Sequence, residues 1–241
     1  MSKRIIIALF VACALAVGVS AQKAAKSWTE WSKKDAEKML NDSPWGQTQT
    51  DTDTSEMFYT PGGTPTNGGT DPARDARGQL NQATGVKYRI RFFSARPIRQ
   101  ALARSIELSN PNADDQLRER LRAFTELNSN EWIIVTATFE SNDGRYSGIA
   151  MQAFNGATTA TLKNNTYLER RDGKRVFIDE YGIPGKEGFG ARFVFPRMLD
   201  GQPFITPDSG DVRFYSEIGR GIKLNMKFKV DKMMYDGKLE Y

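Results

Sequence analysis

Val86-Lys87-Tyr88-Arg89-Ile90-Arg91-Phe92-Phe93 alternates apolar and cationic side chains almost to its end. Successive side chains of a strand point to opposite faces, so Val86, Tyr88, Ile90 and Phe92 share one face and Lys87, Arg89 and Arg91 the other. One dry face and one charged face suit an antiparallel sheet laid on a core. The period then changes from two to 3.6. Ile98, Ala101, Leu102, Ser105 and Ile106 line one side of a helix with Ser94 or Pro97 near its start. Leu117, Leu121 and Phe124 line a second helix, capped by Asn112 or Asp114. Together the segments predict a sheet with a two-helix insertion over about residues 97–125, an α+β arrangement.

Downstream the chain reads as strands and turns. Residues 132–140, 149–154, 166–171, 175–181, 192–195, 212–218, 223–233 and 238–241 are strand candidates. Asn142-Asp143-Gly144, Asp172-Gly173 and Asp236-Gly237 supply the turns, the second as a hairpin signal. Strands at this spacing predict a mainly antiparallel fold, a sandwich or partly closed barrel, over residues 47–241. Upstream, Thr48, Thr50, Thr52 and Thr54 alternate with Gln49, Asp51 and Asp53, predicting an exposed strand running on to Met57-Phe58-Tyr59. Residues 60–85, rich in Gly, Pro, Asn and Asp, read as a flexible loop.

Residues 22–46 read as a basic lead and a short helix. Ser32 and Asp35 form an approximate capping box, Ala36, Met39 and Leu40 share a face, and Asn41 and Pro44 stop the helix. Trp31 can staple against Ala36. Before them, Lys3 and Arg4 precede an uncharged apolar run from Ile5 to Val19, closed by Val19-Ser20-Ala21. That is the pattern of a secretory signal peptide over residues 1–21, cut before Gln22. It predicts an exported protein, periplasmic or extracellular, with no membrane span after cleavage.

The segment Leu40-Asn41-Asp42-Ser43-Pro44-Trp45, with Trp28, Trp31 and Ser32, resembles the start of a group of exported bacterial proteins of unknown function. Ser94-Ala95-Arg96-Pro97-Ile98-Arg99 and the ending Asp236-Gly237-Lys238-Leu239-Glu240-Tyr241 are similar to pieces of the same group. The resemblance implies a bacterial envelope location and carries no activity and no site residues.

Composition narrows the chemistry. The chain has no histidine and one cysteine, Cys13, inside the expected leader. Ser-His-Asp and Cys-His nucleophiles are therefore excluded, and zinc and copper sites lose their usual ligands. Export without disulfides leaves stability to the core alone. No serine of the mature chain begins a Ser-x-x-Lys motif. Asp51-x-Asp53-x-Ser55 opens like a calcium loop, but Glu56 and Gly62 stand where Gly and Glu are required. Gly182-Ile183-Pro184-Gly185-Lys186-Glu187 lacks phosphate-loop spacing. No metal and no cofactor is expected.

The 34 basic residues, less Lys3 and Arg4 on cleavage, against 29 acidic ones leave a mild positive balance that calls for no nucleic acid. Lys87, Arg89 and Arg91 on one strand and Lys223, Lys227 and Lys229 on another are the best candidates for a surface function. If the strands neighbour each other, they make a stripe for an anionic envelope component. The preferred plain reading of either ladder is a solvated face paired with Asp and Glu.

The expected function is thus a non-catalytic binding or structural module of the envelope, with enzyme activity disfavoured. Two alternatives stand beside it. One is a carboxylate-dependent, glycosidase-like hydrolase, for which the adjacent Asp179 and Glu180 point apart. The other is a small outer-membrane β-barrel closed by Met233, Tyr235, Gly237, Leu239 and Tyr241.

Overall fold

A computed structural model of the chain describes residues 26–53, 84–141, 144–186, 188–219 and 221–241. The expected leader, nearly all of the 60–85 loop, the extension of the first strand past Asp53 and the Asn142-Asp143 turn lie outside the described residues. The rest is α+β: two antiparallel sheets with helices at their faces and ends.

The first sheet has five strands in the order β1 (Gly46–Asp53), β2 (Thr84–Phe92), β3 (Trp132–Ser141), β7 (Ala191–Pro196), β6 (Glu180–Gly182). The second has four, β11 (Ile222–Lys229), β10 (Asp211–Ile218), β4 (Thr166–Arg170), β5 (Arg175–Phe177). Two short hairpins complete the set, β8 (Met198–Leu199) with β9 (Gln202–Pro203) and β12 (Met234–Tyr235) with β13 (Lys238–Leu239). The expected alternation holds: Val86, Tyr88, Ile90 and Phe92 are all buried. In β10 every second residue from Val212 to Ile218 is buried as well.

The inner faces meet ring to ring. Phe92 packs edge-on against Phe228 with centroids 4.8 Å apart, and Phe193 against Phe214 at 5.2 Å. The sheets do not close into a barrel. At one corner the chain bends from β5 into β6, where Ile178 donates to Thr166 O and Asp179 to Val194 O. At the other, the side chain of Gln49 bridges the gap: Nε2 donates to Lys223 O at 2.7 Å and Oε1 accepts from Asn225 N at 2.8 Å.

Helix α1 (Lys33–Asn41) starts at Ser32 with a full capping box to Asp35. The cap holds the Asp35 carboxyl below its ordinary pKa, through the Ser32 hydroxyl and then the Ser32 amide. Trp31 and Ala36, on either side of the cap, are both buried. Helix α2 (Arg96–Ser109) follows β2 with Ala95 as its N-cap residue; Ser94 accepts instead from Ile134 N at 3.0 Å and so ties the turn to β3. Of the two candidates for the next cap it is Asp114 that accepts from Leu117 N, opening α3 (Asp115–Thr125).

One expected strand is a helix. Residues 149–154 lie inside α4 (Gly144–Gly156), followed by the single turn α5 (Thr159–Leu162). Ala150, Phe154 and Ala157 are buried while Ile149 and Met151 face out. That is helical spacing, hidden because Ile-Ala-Met-Gln-Ala-Phe is too short and too apolar to show one period. Phe154 packs on Phe139 of β3 at 5.2 Å and its carbonyl accepts the Tyr181 hydroxyl at 2.7 Å. The strand expected over 223–233 ends at Lys229, because Val230–Lys232 forms a 3-10 turn. Of residues 238–241 only Lys238 and Leu239 pair, across a turn in which Asp236 and Gly237 both take positive φ.

The three segments that carried the resemblance converge. Trp45 donates its indole N–H to Glu240 O at 2.8 Å, and the Glu240 carboxylate accepts from Arg96 N at 3.1 Å. Arg96 also pairs with Asp236 at 2.6 Å, and Tyr235 meets Trp45 edge-on at 5.9 Å. Tyr241 is buried beneath the Arg197 guanidinium, 3.9 Å from the ring centroid. Of this ending Tyr241 belongs to the core cluster, and Tyr235 and Leu239 pack against it partly buried. Among the described residues no helix is long and apolar enough to cross a membrane.

Candidate functional site

The lysines of β11 owe their placement to its alternation. Ile222, Leu224 and Phe228 are buried, which turns Lys223, Asn225, Lys227 and Lys229 outward. Lys227 and Lys229 reach a cleft of about 690 Å³ that β1 and the end of α1 close from the other side. Its opposite wall is the turn Asn41-Asp42-Ser43-Pro44 with Gln47 and Thr48, and Lys232 adds a third ammonium group. The Gln49 bridge holds the two walls together.

The turn is fixed by its own hydroxyl. Ser43 Oγ donates to Met39 O at 2.6 Å and accepts from the amides of Trp45 and Gly46 at 3.2 and 3.1 Å. That hydroxyl is a turn anchor with no proton to give a substrate. Thr48 likewise donates to Asn41 O.

The charges facing the cleft are unbalanced. Among the described residues no carboxylate pairs with Lys227 or Lys229, whereas Lys223 is 3.3 Å from Glu217 and Lys232 3.3 Å from its neighbour Asp231. Asp211 stands across from Lys229 in the register but is taken by Arg171 at 3.2 Å. Among the described residues, Asp42 is the single carboxylate lining the cleft.

The other ladder does not join it. β1 separates β2 from β11, so the neighbouring strands that a continuous stripe of Lys87, Arg89, Arg91, Lys223, Lys227 and Lys229 would require are not present. Lys87 is exposed and Arg89 pairs with Glu140. Arg91 is buried beneath the end of α1, donating from Nε to Leu40 O at 3.0 Å and from Nη2 to Asn41 Oδ1 at 2.9 Å. Burial, reinforced by Arg89, pulls its pKa down to about 10. Arg91 is therefore a brace for the cleft wall, acting through Asn41.

Beside the cleft the outer face of the second sheet carries two rows. The register aligns Arg175, Glu169, Arg213 and Lys227 across the four strands, and Phe177, Tyr167, Tyr215 and Asn225 next to them. Tyr167 stacks on Tyr215 at 5.1 Å and meets Phe177 at 5.7 Å, while Arg175 lies 4.3 Å over its ring. A smaller hollow of about 240 Å³ between Glu169, Arg170, Arg171, Asp211 and Arg213 shares Lys227 with the main cleft. Of this surface, the lysines of β11 were legible in the sequence. Lys232, the 41–44 turn as a wall and the aromatic row were not, because their alignment depends on which strands pair.

A third hollow, about 460 Å³, lies between Phe93, Ser94, residues 127–132 and Ile134. The Arg99 in it donates to the carbonyls of Ser94, Phe93 and Thr125, which makes it a brace for the loop.

The arrangement at the main cleft suits electrostatic capture of an anion, with amide and hydroxyl groups alongside. Glu169 and Asp211, which share the smaller hollow, are both occupied by arginines. Asp179 and Glu180 are exposed at the sheet corner, Glu180 lying 3.5 Å from Arg192. Among the described residues no group of three or more His, Cys, Asp or Glu could hold a metal. No protein-family model matches the chain, and no curated protein or solved structure matches it.

Proposed function

We propose that this is an exported bacterial envelope protein, of the group its three segments resemble, that binds an anionic component at the cleft between the 41–44 turn and β11. The leader pattern supports export. The unpaired ammonium groups of Lys227 and Lys229 carry the binding role: two cations held on a rigid strand, facing a concave space with one carboxylate in it. Such a field attracts an anion and discourages a cation. Among the described residues the cleft wall offers a turn-anchoring serine and no nucleophile hydrogen-bonded to a base, which favours binding over turnover.

The test is a charge-matched comparison on the exported protein. Binding of fluorescent polyphosphate and polygalacturonate is measured at low and high salt for the triple variant Lys227→Ala, Lys229→Ala, Lys232→Ala. The control is Lys33→Ala, Lys34→Ala, Lys38→Ala on the exposed side of α1. The cleft variant should lose about tenfold or more in affinity, a few tenths to about 1 kcal/mol per exposed charge, and the control little. Equal loss in both variants, or no salt-sensitive binding by the parent, would refute the proposal.

A further inference from the structure

We infer that the anion taken at this site is an acidic polysaccharide, lying from the β11 cleft across the outer face of the four-stranded sheet toward Phe177. The inference rests on the binding role proposed above and adds the class of ligand. The cleft alone would hold a small anion. Its shared lysine, Lys227, continues it into the row Arg213, Glu169, Arg175, and four strands about 4.8 Å apart make that row roughly 14 Å long. The aromatic row runs parallel, two residues or about 7 Å further along the strands. A chain with acidic groups and apolar ring faces can touch both rows at once.

The surface is prearranged for this. Arg213 Nη2 donates to the Tyr167 hydroxyl at 2.8 Å, and Glu169 is shared between Arg175 and Arg213. Tyr215 is tied to Glu217 through its hydroxyl. Side chains already ordered lose little entropy on binding. The Nε–H groups of Arg170 and Arg213, at the smaller hollow, are buried without a hydrogen-bond acceptor among the described residues, although both guanidinium groups are ion-paired, Arg170 with Asp172 and Arg213 with Glu169.

Three observations choose between polyanions. Glu169 interrupts the cationic row and Asp211 lies beside it in the smaller hollow, which penalises a uniformly and densely charged chain such as polyphosphate more than one with a charge per sugar. The cleft is concave, and among the described residues its lining is polar or charged apart from Pro44, so it offers an anionic bilayer no apolar anchor there. Phe177, 45 % exposed, and Tyr215 offer aromatic ring surface, and Tyr215 pairs in the register with hydrogen-bonding Asn225, as a hydroxyl-rich ring needs.

The experiment compares polygalacturonate, neutral dextran, polyphosphate and phosphatidylglycerol vesicles as probes for the exported protein and for Phe177→Ala and Tyr215→Ala. Phe177 is exposed enough for its variant to keep the fold, which a thermal melt checks. Polygalacturonate should bind most tightly and dextran not at all. Either aromatic substitution should weaken polygalacturonate about threefold to tenfold, the size of one aromatic contact, and leave polyphosphate unchanged. Preference for polyphosphate or vesicles, or no effect of Phe177→Ala on polygalacturonate, overturns the acidic polysaccharide. Either result leaves the lysine-dependent anion site standing. Loss of lysine dependence itself removes both.

Discussion

Arg91 shows how much one side chain's meaning depends on what covers it. In the sequence it is the third cation of a ladder; in the fold it hydrogen-bonds the end of α1 from beneath and among the described residues pairs with no carboxylate. Replacing it with Lys keeps the charge but not the fork that reaches Leu40 O and Asn41 Oδ1 together. Arg91→Lys should destabilise by about 1–3 kcal/mol, through a buried carbonyl left without its donor. Lys87→Ala, four residues away on the same face but exposed, should stay within about 0.5 kcal/mol, and chemical denaturation of the two variants checks both. On the inner face, burial pushes the Tyr88 hydroxyl up to about 12 from 10, with Asp51 adding to it. The folded state keeps that proton while the unfolded chain releases it, so its stabilising contribution is complete below pH 10 and is lost as pH rises toward 12. The parent should therefore lose stability relative to Tyr88→Phe on going from about pH 9 to about pH 11, read from the difference in melting temperature.

Among the elements, α4 is the informative one. Its sequence reads equally as a buried strand, since Ala150, Gln152 and Phe154 would share one face of an extended chain. The structure instead buries Ala150 with Phe154 and Ala157 and leaves Met151 47 % exposed. Gly148 sits inside this helix with open space where a Cβ would go. Gly148→Ala should stabilise by about 0.5–1 kcal/mol, as removal of glycine freedom from a helix interior does. Gly190 is the opposite case. It takes φ +88°, and a Cβ there would come within 2.3 Å of Ala137 O in the neighbouring strand β3. Gly190→Ala should therefore destabilise by more than about 1 kcal/mol. Thermal unfolding of the pair tests the helix and the close approach together; a loss for Gly148→Ala would argue for the strand.

At the scale of the whole molecule, the segments around Trp45, Arg96 and residues 235–241 form one interlocked cluster. The C-terminal segment is thus a structural clasp, with Tyr241 buried against the core and Met233 behind it. Removing residues 236–241 should lower stability by about 2 kcal/mol or more, the value of one buried aromatic side chain, and shift the fluorescence of Trp45 as its indole loses Glu240 O. A truncated chain with unchanged unfolding would show that the clasp carries no load. Much of the local pattern was legible in the sequence: the alternation of Val86 to Phe92, the cap at Ser32, a second cap narrowed to Asn112 or Asp114, and the turns at Asp172-Gly173 and Asp236-Gly237 each follow from interactions within a few residues. By itself the sequence determined these elements, the absence of imidazole chemistry, and the outward set of the β11 lysines. Only the tertiary structure decided that Arg91 is a brace, that residues 149–154 are helical, that Lys227 and Lys229 face a cleft without paired carboxylates, and that an aromatic row lies beside them. These depend on which strands pair and what packs over each face, and those contacts join residues far apart in the chain, where no local period reaches.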